Sequence, residues 1–334
     1  VMVGALLAAT TGVVGASVVT MTVIALPTML KRGYAPSLAS GTIAASGTLG
    51  QIIPPSIILI LLGDVIGVPV GELFIGAVVP GMMLIMAYML YIAFVAWRHP
   101  HLAPAVRDDN PELAALWISV IKSLLPPLFL IIAVLGSIFY GIASPTESAA
   151  VGALGALILA ALHRRLSIAN LNDAMQKTAR LTSMVFLIFI GATAFGLVFV
   201  GMGGDGLILD IFSELPGGKW TFLLLSMLLI FVLGFFLDFI EICFIVVPII
   251  APVAIHMGID PLWFALLIAI NLQTSFLTPP FGFSLFYLKA SAPPTLKLMD
   301  IYRGIRPFVM IQLLVLGLLI AVPGITLWLP GMME

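Results

Sequence analysis

Long apolar segments alternate with short polar connections along the whole chain. About 20 consecutive apolar residues are enough for a helix to cross a bilayer. The apolar runs cover residues 1–27, 37–63, 72–97, 113–143, 145–162, 181–201, 220–255, 261–288 and 308–330. Strands of an outer-membrane barrel would alternate between apolar and polar positions, and these runs do not. The pattern predicts an all-α polytopic membrane protein, because helices satisfy their backbone hydrogen bonds within each segment.

The run 220–255 differs from the others in its length and in its charges. It is too long for one crossing and short for two, and Asp238 and Glu241 lie near its middle. Carboxylates are costly inside a membrane and are usually functional there. We therefore predict a re-entrant hairpin with both acids at its tip. The alternative is that these carboxylates cap a helix at the membrane interface.

Lysine and arginine cluster in four connections and are absent from the segments 64–71, 203–218 and 256–260. Cytoplasmic connections are enriched in these residues, so we expect the four basic connections inside. Runs 1–27 and 220–255 must then each cross an even number of times, as hairpins do. The basic residues concerned are Lys31, Arg32, Arg98, Arg107, Arg164, Arg165, Lys177, Arg180, Lys289, Lys297, Arg303 and Arg306.

Local patterns predict further details within the spans. Ser144 and Pro145 followed by Glu147 indicate a helix start, with proline in the first turn and an acid near the positive end of the helix dipole. Gly152 and Gly155, among alanines, predict close helix packing. The segment 163–180 is either an interfacial amphipathic helix or an ordinary polar linker.

A spacing of prolines and glycines occurs twice in the chain, at an offset of 225 residues. The first copy is Pro27, Gly33, Pro36, Pro54 and Pro55, and the second is Pro252, Gly258, Pro261, Pro279 and Pro280. Each copy contains a hairpin-like run, a short turn and a long helical pattern interrupted by Pro-Pro. By the charge argument the first turn lies inside and the second lies outside. Inverted-topology repeats of this kind are typical of secondary transporters.

The two Pro-Pro pairs lie within apolar runs, so we expect both helices to break near the middle of the membrane. The alternative is that these prolines only kink the helices for packing. Carbonyls and hydroxyls at a break are hard oxygen ligands that suit Na⁺, and helix N-termini suit a carboxylate. The candidate site residues at the breaks are Thr48, Gly50, Gln51, Pro54, Pro55 and Ser56 in the first, and Asn271, Thr274, Thr278, Pro279, Pro280 and Gly282 in the second.

Composition excludes several classes of protein. The hydrophobic set makes up 62% of the 334 residues and charged residues 9%, whereas a soluble domain is about 25% charged. A net charge of −1 indicates no nucleic-acid partner. The single cysteine excludes a disulfide framework. We found no H-E-x-x-H motif, phosphate-binding loop or plausible Ser–His pair, so an enzyme and an organic cofactor are not predicted.

Several ordered motifs resemble the large membrane (M) subunit of the tripartite ATP-independent periplasmic (TRAP) transporters along essentially the whole chain. The motifs lie at residues 27–34, 47–56, 141–150 and 278–282. The resemblance implies the fold of the ion transporter superfamily, with scaffold and transport parts and an elevator motion. Family members are longer at the N-terminus, so we expect an N-terminal scaffold portion to be missing.

The resemblance implies a division of the chain into four parts. Residues 1–63 form the first hairpin and broken helix of the transport part, and residues 220–290 form the second hairpin and broken helix. Residues 64–219, including the linker 163–180, are scaffold-type spans. Residues 291–334 are a C-terminal scaffold span.

The function implied by the resemblance is Na⁺-coupled import of organic acids, including C4-dicarboxylate-like substrates, across a bacterial inner membrane. Na⁺ is the coupling ion and no other cofactor is implied. A periplasmic binding protein delivers the substrate, and a small four-helix membrane subunit supports the large one in the lipid bilayer.

The resemblance also adds residues at the hairpin tips. Many members carry a Ser-Gly-Ser stretch at the first tip, where this chain has Gly15, Ser17 and Thr20 with one hydroxyl fewer. At the second tip it supports Asp238, because the family usually has an acid there, and Glu241 completes the candidate set. The sodium ligands that we predict are Ser17, Thr48, Asp238 and Thr278.

Two other functions remain open from the sequence. A self-sufficient Na⁺/carboxylate symporter of the same superfamily would share the architecture and need no binding protein. A channel is less favoured, because selectivity filters usually need charged rings or several identical subunits.

Overall fold

The structure is a computed structural model that describes residues 1–104, 113–213 and 216–332. Within these ranges every regular element is helical. Three short elements interrupt or follow the α-helices, namely 3-10 turns at Leu49–Gln51 and Pro330–Met332 and a π-helical turn at Ile242–Val246. The α-helices are α1 Met2–Thr11, α2 Val14–Lys31, α3 Pro36–Thr48, α4 Ile57–Ile66, α5 Val70–Arg98, α6 Leu113–Phe139, α7 Pro145–Leu162, α8 Ile168–Gly201, α9 Gly204–Ser213, α10 Lys219–Leu233, α11 Phe239–Glu241, α12 Val247–His256, α13 Pro261–Leu277, α14 Phe283–Ser291, α15 Leu298–Ala321 and α16 Gly324–Leu327.

Helices long and apolar enough to cross a membrane number six within the described ranges. They are α2, α5, α7, α8, the continuous segment Phe239–His256, and α15. Shorter apolar helices, such as α1, α4, α10 and α13, lie between them. The prediction of an all-helical polytopic membrane protein is therefore confirmed.

The chain forms two compact units. Unit 1 comprises Val1–Val106 and Phe195–Glu334, and unit 2 comprises Arg107–Ala194. Helices α5 and α15 lie in unit 1 together with both helix pairs. Hydropathy identifies an apolar helix but does not show which neighbour it packs against.

Unit 2 contains α6, α7 and most of α8. Helices α6 and α7 pack against each other, and the hydroxyls of Ser137 and Ser148 lie 2.8 Å apart across this contact. A side chain at Gly155 would collide with Leu130, so the predicted close packing of small residues is observed here. Residues 168–180 are the first turns of α8 and continue into its apolar part without a break.

The predicted start of α7 is confirmed in detail. Ser144 caps the helix by accepting a hydrogen bond of 3.3 Å from the backbone N–H of Glu147. The carboxylate of Glu147 accepts from the backbone N–H of Ser144 at 2.7 Å and from its hydroxyl at 2.8 Å. This is a complete capping box, which satisfies donors that the first helical turn leaves unpaired.

The core of unit 1 is built around α3 and α13. All residues of α13 from Leu262 to Leu277 are buried, which explains why this helix needs no polar face. Helix α13 packs against α4, α5, α10 and α15, and α3 packs against α1, α2 and α15. The two most enclosed helices are thus the two that lead into the Pro-Pro breaks.

Two stretches of unit 1 follow the same order of elements. In the first, α2 leads through a turn at Gly33 into α3, a Pro-Pro break and α4; in the second, α12 leads through Gly258 into α13, a break and α14. Gly33 and Gly258 have φ values of 82° and 74°, a left-handed conformation that glycine adopts without steric cost. Both Pro-Pro bonds, Pro54-Pro55 and Pro279-Pro280, are cis.

Candidate functional site

The first helix pair turns earlier than the sequence predicted. Helix α1 ends at Thr11, Gly12 adopts φ 62°, and α2 begins at Val14. The expected tip residues Gly15, Ser17 and Thr20 therefore lie in the first turns of α2. A glycine after the helix is the position that accepts a left-handed C-cap, and Gly12 fulfils this role.

Ser17 is fully buried and still lies beside the turn. Its hydroxyl is 2.6 Å from the hydroxyl of Thr11 and 3.1 Å from the carbonyl oxygen of Val13. Thr20 is half-buried one turn further along α2. The first pair thus provides a small cluster of oxygen atoms at its turn, although not at the residues expected to form the tip.

The first break is a compact, buried polar segment. Thr48 donates its hydroxyl proton to the carbonyl of Ala45 at 2.8 Å, and the 3-10 turn follows directly. The hydroxyl of Ser56 donates to the carbonyl of Gln51 at 2.6 Å across the two prolines. The side-chain amide of Gln51 is almost fully buried, and no described residue hydrogen-bonds to it.

Gly50 lets this break lie directly on the first helix pair. A Cβ at Gly50 would lie 2.6 Å from the carbonyl oxygen of Ala8, which no real side chain tolerates. A Cβ at Gly12 would be 3.5 Å from Ile57 and 3.8 Å from the Pro55 oxygen. The turn of the first pair and the first break are therefore in contact through glycines.

The second helix pair places both acids where its backbone is irregular. Asp238 precedes α11, and its carboxylate accepts a hydrogen bond of 2.8 Å from the N–H of Phe239. One carboxylate oxygen of Glu241 is buried and has no hydrogen-bond partner among the described residues. The π-helical turn Ile242–Val246 begins at the next residue. Such turns are rare and are frequently found at functional sites.

The second break resembles the first in its chemistry. Thr278 donates to the carbonyl of Thr274 at 2.7 Å, and Ser284 donates to that of Phe276 at 2.8 Å. A Cβ at Gly282 would lie 2.7 Å from the Phe276 oxygen, so the chain turns too tightly here for a side chain. Asn271 donates from its amide to the carbonyl of Met227 at 2.6 Å, which ties α13 to α10.

The hydroxyls at the breaks share one feature that decides what they can bind. Thr48, Thr274 and Thr278 each donate their proton to a carbonyl three or four residues earlier in their own helix. A hydroxyl has one proton and two lone pairs, so its oxygen remains free to accept or to coordinate a cation. The breaks thus offer oxygen ligands of the hard type that suits Na⁺.

Packing links each break to the opposite helix pair. Helix α4, which follows the first break, packs against α12 and the π-helical turn, and α14, which follows the second break, packs against α2. Gly234, between α10 and α11, lies against Ser275 of α13, and the rings of Phe236 and Phe281 are 5.3 Å apart. The predicted site residues therefore belong to one connected region of unit 1.

The four predicted sodium ligands do not form one hydrogen-bonded cluster. The hydrogen bonds that the structure gives for Thr48, Asp238 and Thr278 stay within the segment of each residue, and those of Ser17 stay within the first helix pair. No group of three or more His, Cys, Asp or Glu residues is close enough for a metal ion within the described ranges. A sodium site of hydroxyls and carbonyls would be of a different kind, because it needs no cluster of carboxylates, imidazoles or thiolates.

Sequence reasoning missed Tyr287 at this region. Tyr287 lies on α14, and a Cβ at Gly15 would be 3.0 Å from its ring. The ring therefore packs against the first turn of α2. Its position in a short helix after a break was the only signal in the sequence.

The chain is similar to known proteins along nearly its whole length. The family model described as "Tripartite ATP-independent periplasmic transporter, DctM component" matches residues 1–325. The chain is 31% identical over 327 residues to the C4-dicarboxylate TRAP transporter large permease protein DctM of Pseudomonas aeruginosa, covering 98% of this chain and 75% of that protein.

Two further relatives show how widely this similarity extends. The sialic acid TRAP transporter large permease protein SiaM of Vibrio cholerae is 30% identical over 91% of this chain and 70% of its own length. The isethionate TRAP transporter permease protein DctMQ of Oleidesulfovibrio alaskensis is 30% identical over 97% of this chain and 50% of its own length. Together with the Pseudomonas aeruginosa protein, these relatives carry three different substrates in their names.

Proposed function

This chain belongs to the DctM component family of tripartite ATP-independent periplasmic transporters. We propose that it imports organic acids together with Na⁺, so that the sodium gradient drives the uptake. The chain is a large permease subunit of the bacterial inner membrane and crosses it several times. It is a transport protein and not an enzyme. Sodium coupling, the substrate class and the mechanism are the content of the proposal.

The proposal rests on the two broken helices. At each break, threonine hydroxyls donate their protons to backbone carbonyls a few residues earlier in the chain. At each break the protons of the hydroxyls are already used, as at Thr48 and Thr278. Their oxygen atoms, with nearby carbonyls and the carboxylate of Asp238, supply neutral and negative ligands for Na⁺. Broken helices with such ligands are the usual sodium sites of secondary transporters.

The proposed substrate class is an organic acid, including C4-dicarboxylates. The relatives act on a C4-dicarboxylate, sialic acid and isethionate by name, and each of these is an anion. Helices α4 and α14 begin at the breaks, and the first N–H groups of a helix attract an anionic group. A substrate carboxylate bound there would be stabilised by the charge of Na⁺ and by the positive end of the helix dipole.

The proposed mechanism uses the two similar stretches of unit 1. We assign them as inverted-topology repeats, with the pairs α1–α2 and α10–α12 as re-entrant hairpins. The moving part of an elevator would then be unit 1, since both pairs and both breaks lie within it. Coupling follows if Na⁺ and substrate both favour the same closed arrangement of the hairpins. This assignment moves α5 and α15 from the scaffold to the transport part.

The proposed partners follow from the tripartite family. A periplasmic binding protein would deliver the substrate, and a small membrane subunit would support this one. The relative named DctMQ, twice as long as the region that matches this chain, is the case to compare. For this chain we propose a separate small subunit.

The test uses the complete permease, purified with its small subunit in detergent. Its melting temperature is followed against NaCl, with KCl and choline chloride at matched ionic strength as controls. A ligand that binds only the folded state at 100 times its Kd stabilises by about 2.7 kcal/mol. We expect a saturable rise with NaCl alone. Equal curves in all three salts would remove sodium from the proposal.

Transport itself is measured in proteoliposomes that hold an inward sodium gradient. Uptake of a radiolabelled C4-dicarboxylate is followed with and without the binding protein from the same gene neighbourhood. We expect uptake only with both the gradient and the binding protein. Uptake without the binding protein would identify a self-sufficient symporter instead.

A further inference from the structure

Three large polar side chains meet in the core of unit 1, and none of them is among the predicted site residues. Tyr88 comes from α5, Gln273 from α13 and Gln312 from α15, and all three are fully buried. These three helices pack against one another. We call this group the Tyr–Gln cluster.

The cluster lacks the hydrogen bonds that its atoms require. The phenol of Tyr88 faces the amides of Gln312 and Gln273 closely enough to interact with them. However, no side-chain nitrogen or oxygen of the three makes a hydrogen bond of good geometry with any described residue. Buried polar groups in proteins are almost always paired, either with protein or with ordered water.

In the part of the chain that the structure describes, the surroundings supply no other partner. The ring of Phe308 packs edge-on against Tyr88 at 5.1 Å between centroids. Phe308 lies one turn before Gln312 on α15, so an aromatic wall closes that side. Several polar atoms thus face each other within an apolar enclosure formed by three helices.

The chemistry of the cluster selects a neutral ligand. The phenol and two amides provide donors and acceptors together, which a water molecule satisfies because it makes about three hydrogen bonds. A cation would need the oxygen atoms of all three side chains turned toward it, which would leave the NH₂ groups of both glutamines without acceptors among the described residues. We propose that the Tyr–Gln cluster binds ordered water that bridges α5, α13 and α15.

Water bound in this way would fix the part of α13 that precedes the second break. Gln273 lies five residues before Thr278, on the same helix. Helix α15 reaches the break from the other side, where Tyr302 donates to the carbonyl of Pro280 at 3.3 Å. The cluster would therefore fix α13 at Gln273, in addition to the contact that α15 makes with the break through Tyr302.

The test is radiolytic hydroxyl labelling of the complete permease in detergent, read by mass spectrometry. Radicals formed by a short X-ray pulse modify buried aromatic rings only where water lies beside them. Phe264, on the same helix as Gln273 and equally buried, is the matched control. We expect Tyr88 to be labelled severalfold faster than Phe264 after correction for intrinsic reactivity. Equal, low labelling of both rings would overturn the proposal.

Two further arms identify the ligand. After rapid mixing with H₂¹⁸O, the label on Tyr88 is expected to gain ¹⁸O later than labels on surface residues, since bound water exchanges slowly. Gln312→Leu, and separately Gln273→Leu, should reduce the labelling of Tyr88 severalfold. Labelling that falls as NaCl replaces choline chloride would overturn the assignment to water in favour of a cation.

Discussion

Two aspartates cap helices in the same manner but in different surroundings. Asp238 accepts from the N–H of Phe239 and Asp260 from that of Trp263, each at 2.8 Å. Asp260 is exposed in the turn before α13, whereas Asp238 is half-buried beside Glu241 and the π-helical turn. The caps are alike, so any difference between the two carboxylates comes from their environment.

Replacing Asp238 by Asn keeps the cap and removes the charge, because asparagine caps helices as well as aspartate does. We expect Asp238→Asn to weaken the apparent affinity for Na⁺ at least tenfold. At a sodium concentration that gives about 2.7 kcal/mol in the natural protein, the stabilisation would fall to about 1.4 kcal/mol. Asp260→Asn is the matched control and should leave the sodium-dependent melting shift unchanged. Equal shifts in both variants would contradict a role for Asp238.

Some residues of the site were predictable from the sequence because they break a local rule. Asp238 and Glu241 interrupt an apolar run, and Pro-Pro pairs interrupt helical patterns. Others depend on the tertiary fold. Tyr287 and the Tyr–Gln cluster acquire their meaning only from neighbours far away in sequence, such as Gly15 for Tyr287. The turn at Gly12 was missed because the expected tip, at Gly15, Ser17 and Thr20, came from the resemblance to the family and not from local turn signals.

At the scale of elements, α3 and α15 cross so closely that their backbones are in contact. A Cβ at Gly304 would collide with the carbonyl oxygen of Ser37, and one at Gly41 would collide with the backbone of Gly304. Glycines that allow such contact are common where helices associate in membranes. The helix that leads into the first break is thus held against α15 by backbone contact.

Gly304→Ala should separate these two helices, since backbone atoms cannot move aside as a flexible side chain does. We expect a loss of about 1–3 kcal/mol in stability, the usual cost of overpacking. Gly317→Ala, on the same helix with nothing within 4 Å of the added Cβ, is the control. It should be neutral or stabilise by up to about 1 kcal/mol, because alanine favours helix over glycine. Melting temperatures in matched detergent decide the comparison, and equal losses would show that the crossing is not tight.

Helix boundaries were predictable where polarity changes at the membrane edge and not elsewhere. Helix α7 begins and ends as its apolar run does, and α5 extends beyond its run by only two residues at the start and one at the end. By contrast, α8 starts at Ile168 and α15 at Leu298, well before the apolar runs at 181 and 308. Hydropathy registers only the apolar part of a helix, so polar first turns such as those with Arg303 and Arg306 go unnoticed.

At the scale of the whole molecule, the two similar stretches predict opposite orientations in the membrane. Lys31 and His256 end equivalent helices, α2 and α12, and both side chains are exposed. Lys31 and Arg32 favour a cytoplasmic position for the first turn, whereas the second turn contains no lysine or arginine. The two positions should therefore face different compartments.

This orientation is measured with introduced thiols. Cys243 is the single cysteine of the sequence and is buried, so it does not compete for a surface reagent. In intact spheroplasts a membrane-impermeant maleimide should label His256→Cys and leave Lys31→Cys unlabelled. After permeabilisation both should react. Labelling of both variants from the same side would show that the stretches are not inverted.

Helix α4 of the first stretch packs against α12 of the second, so this packing forms only after α12 has been synthesised. Helix α4 has 10 residues, so at about 1.5 Å per residue it spans only half of a bilayer core of about 30 Å. The α12 helix that packs on it is made about 190 residues later, which takes roughly 10–40 s at usual translation rates. For that interval the first stretch lacks part of its cover and is open to proteolysis. The delay is fixed by the order of the two stretches in the sequence, because about 190 residues separate α4 from α12.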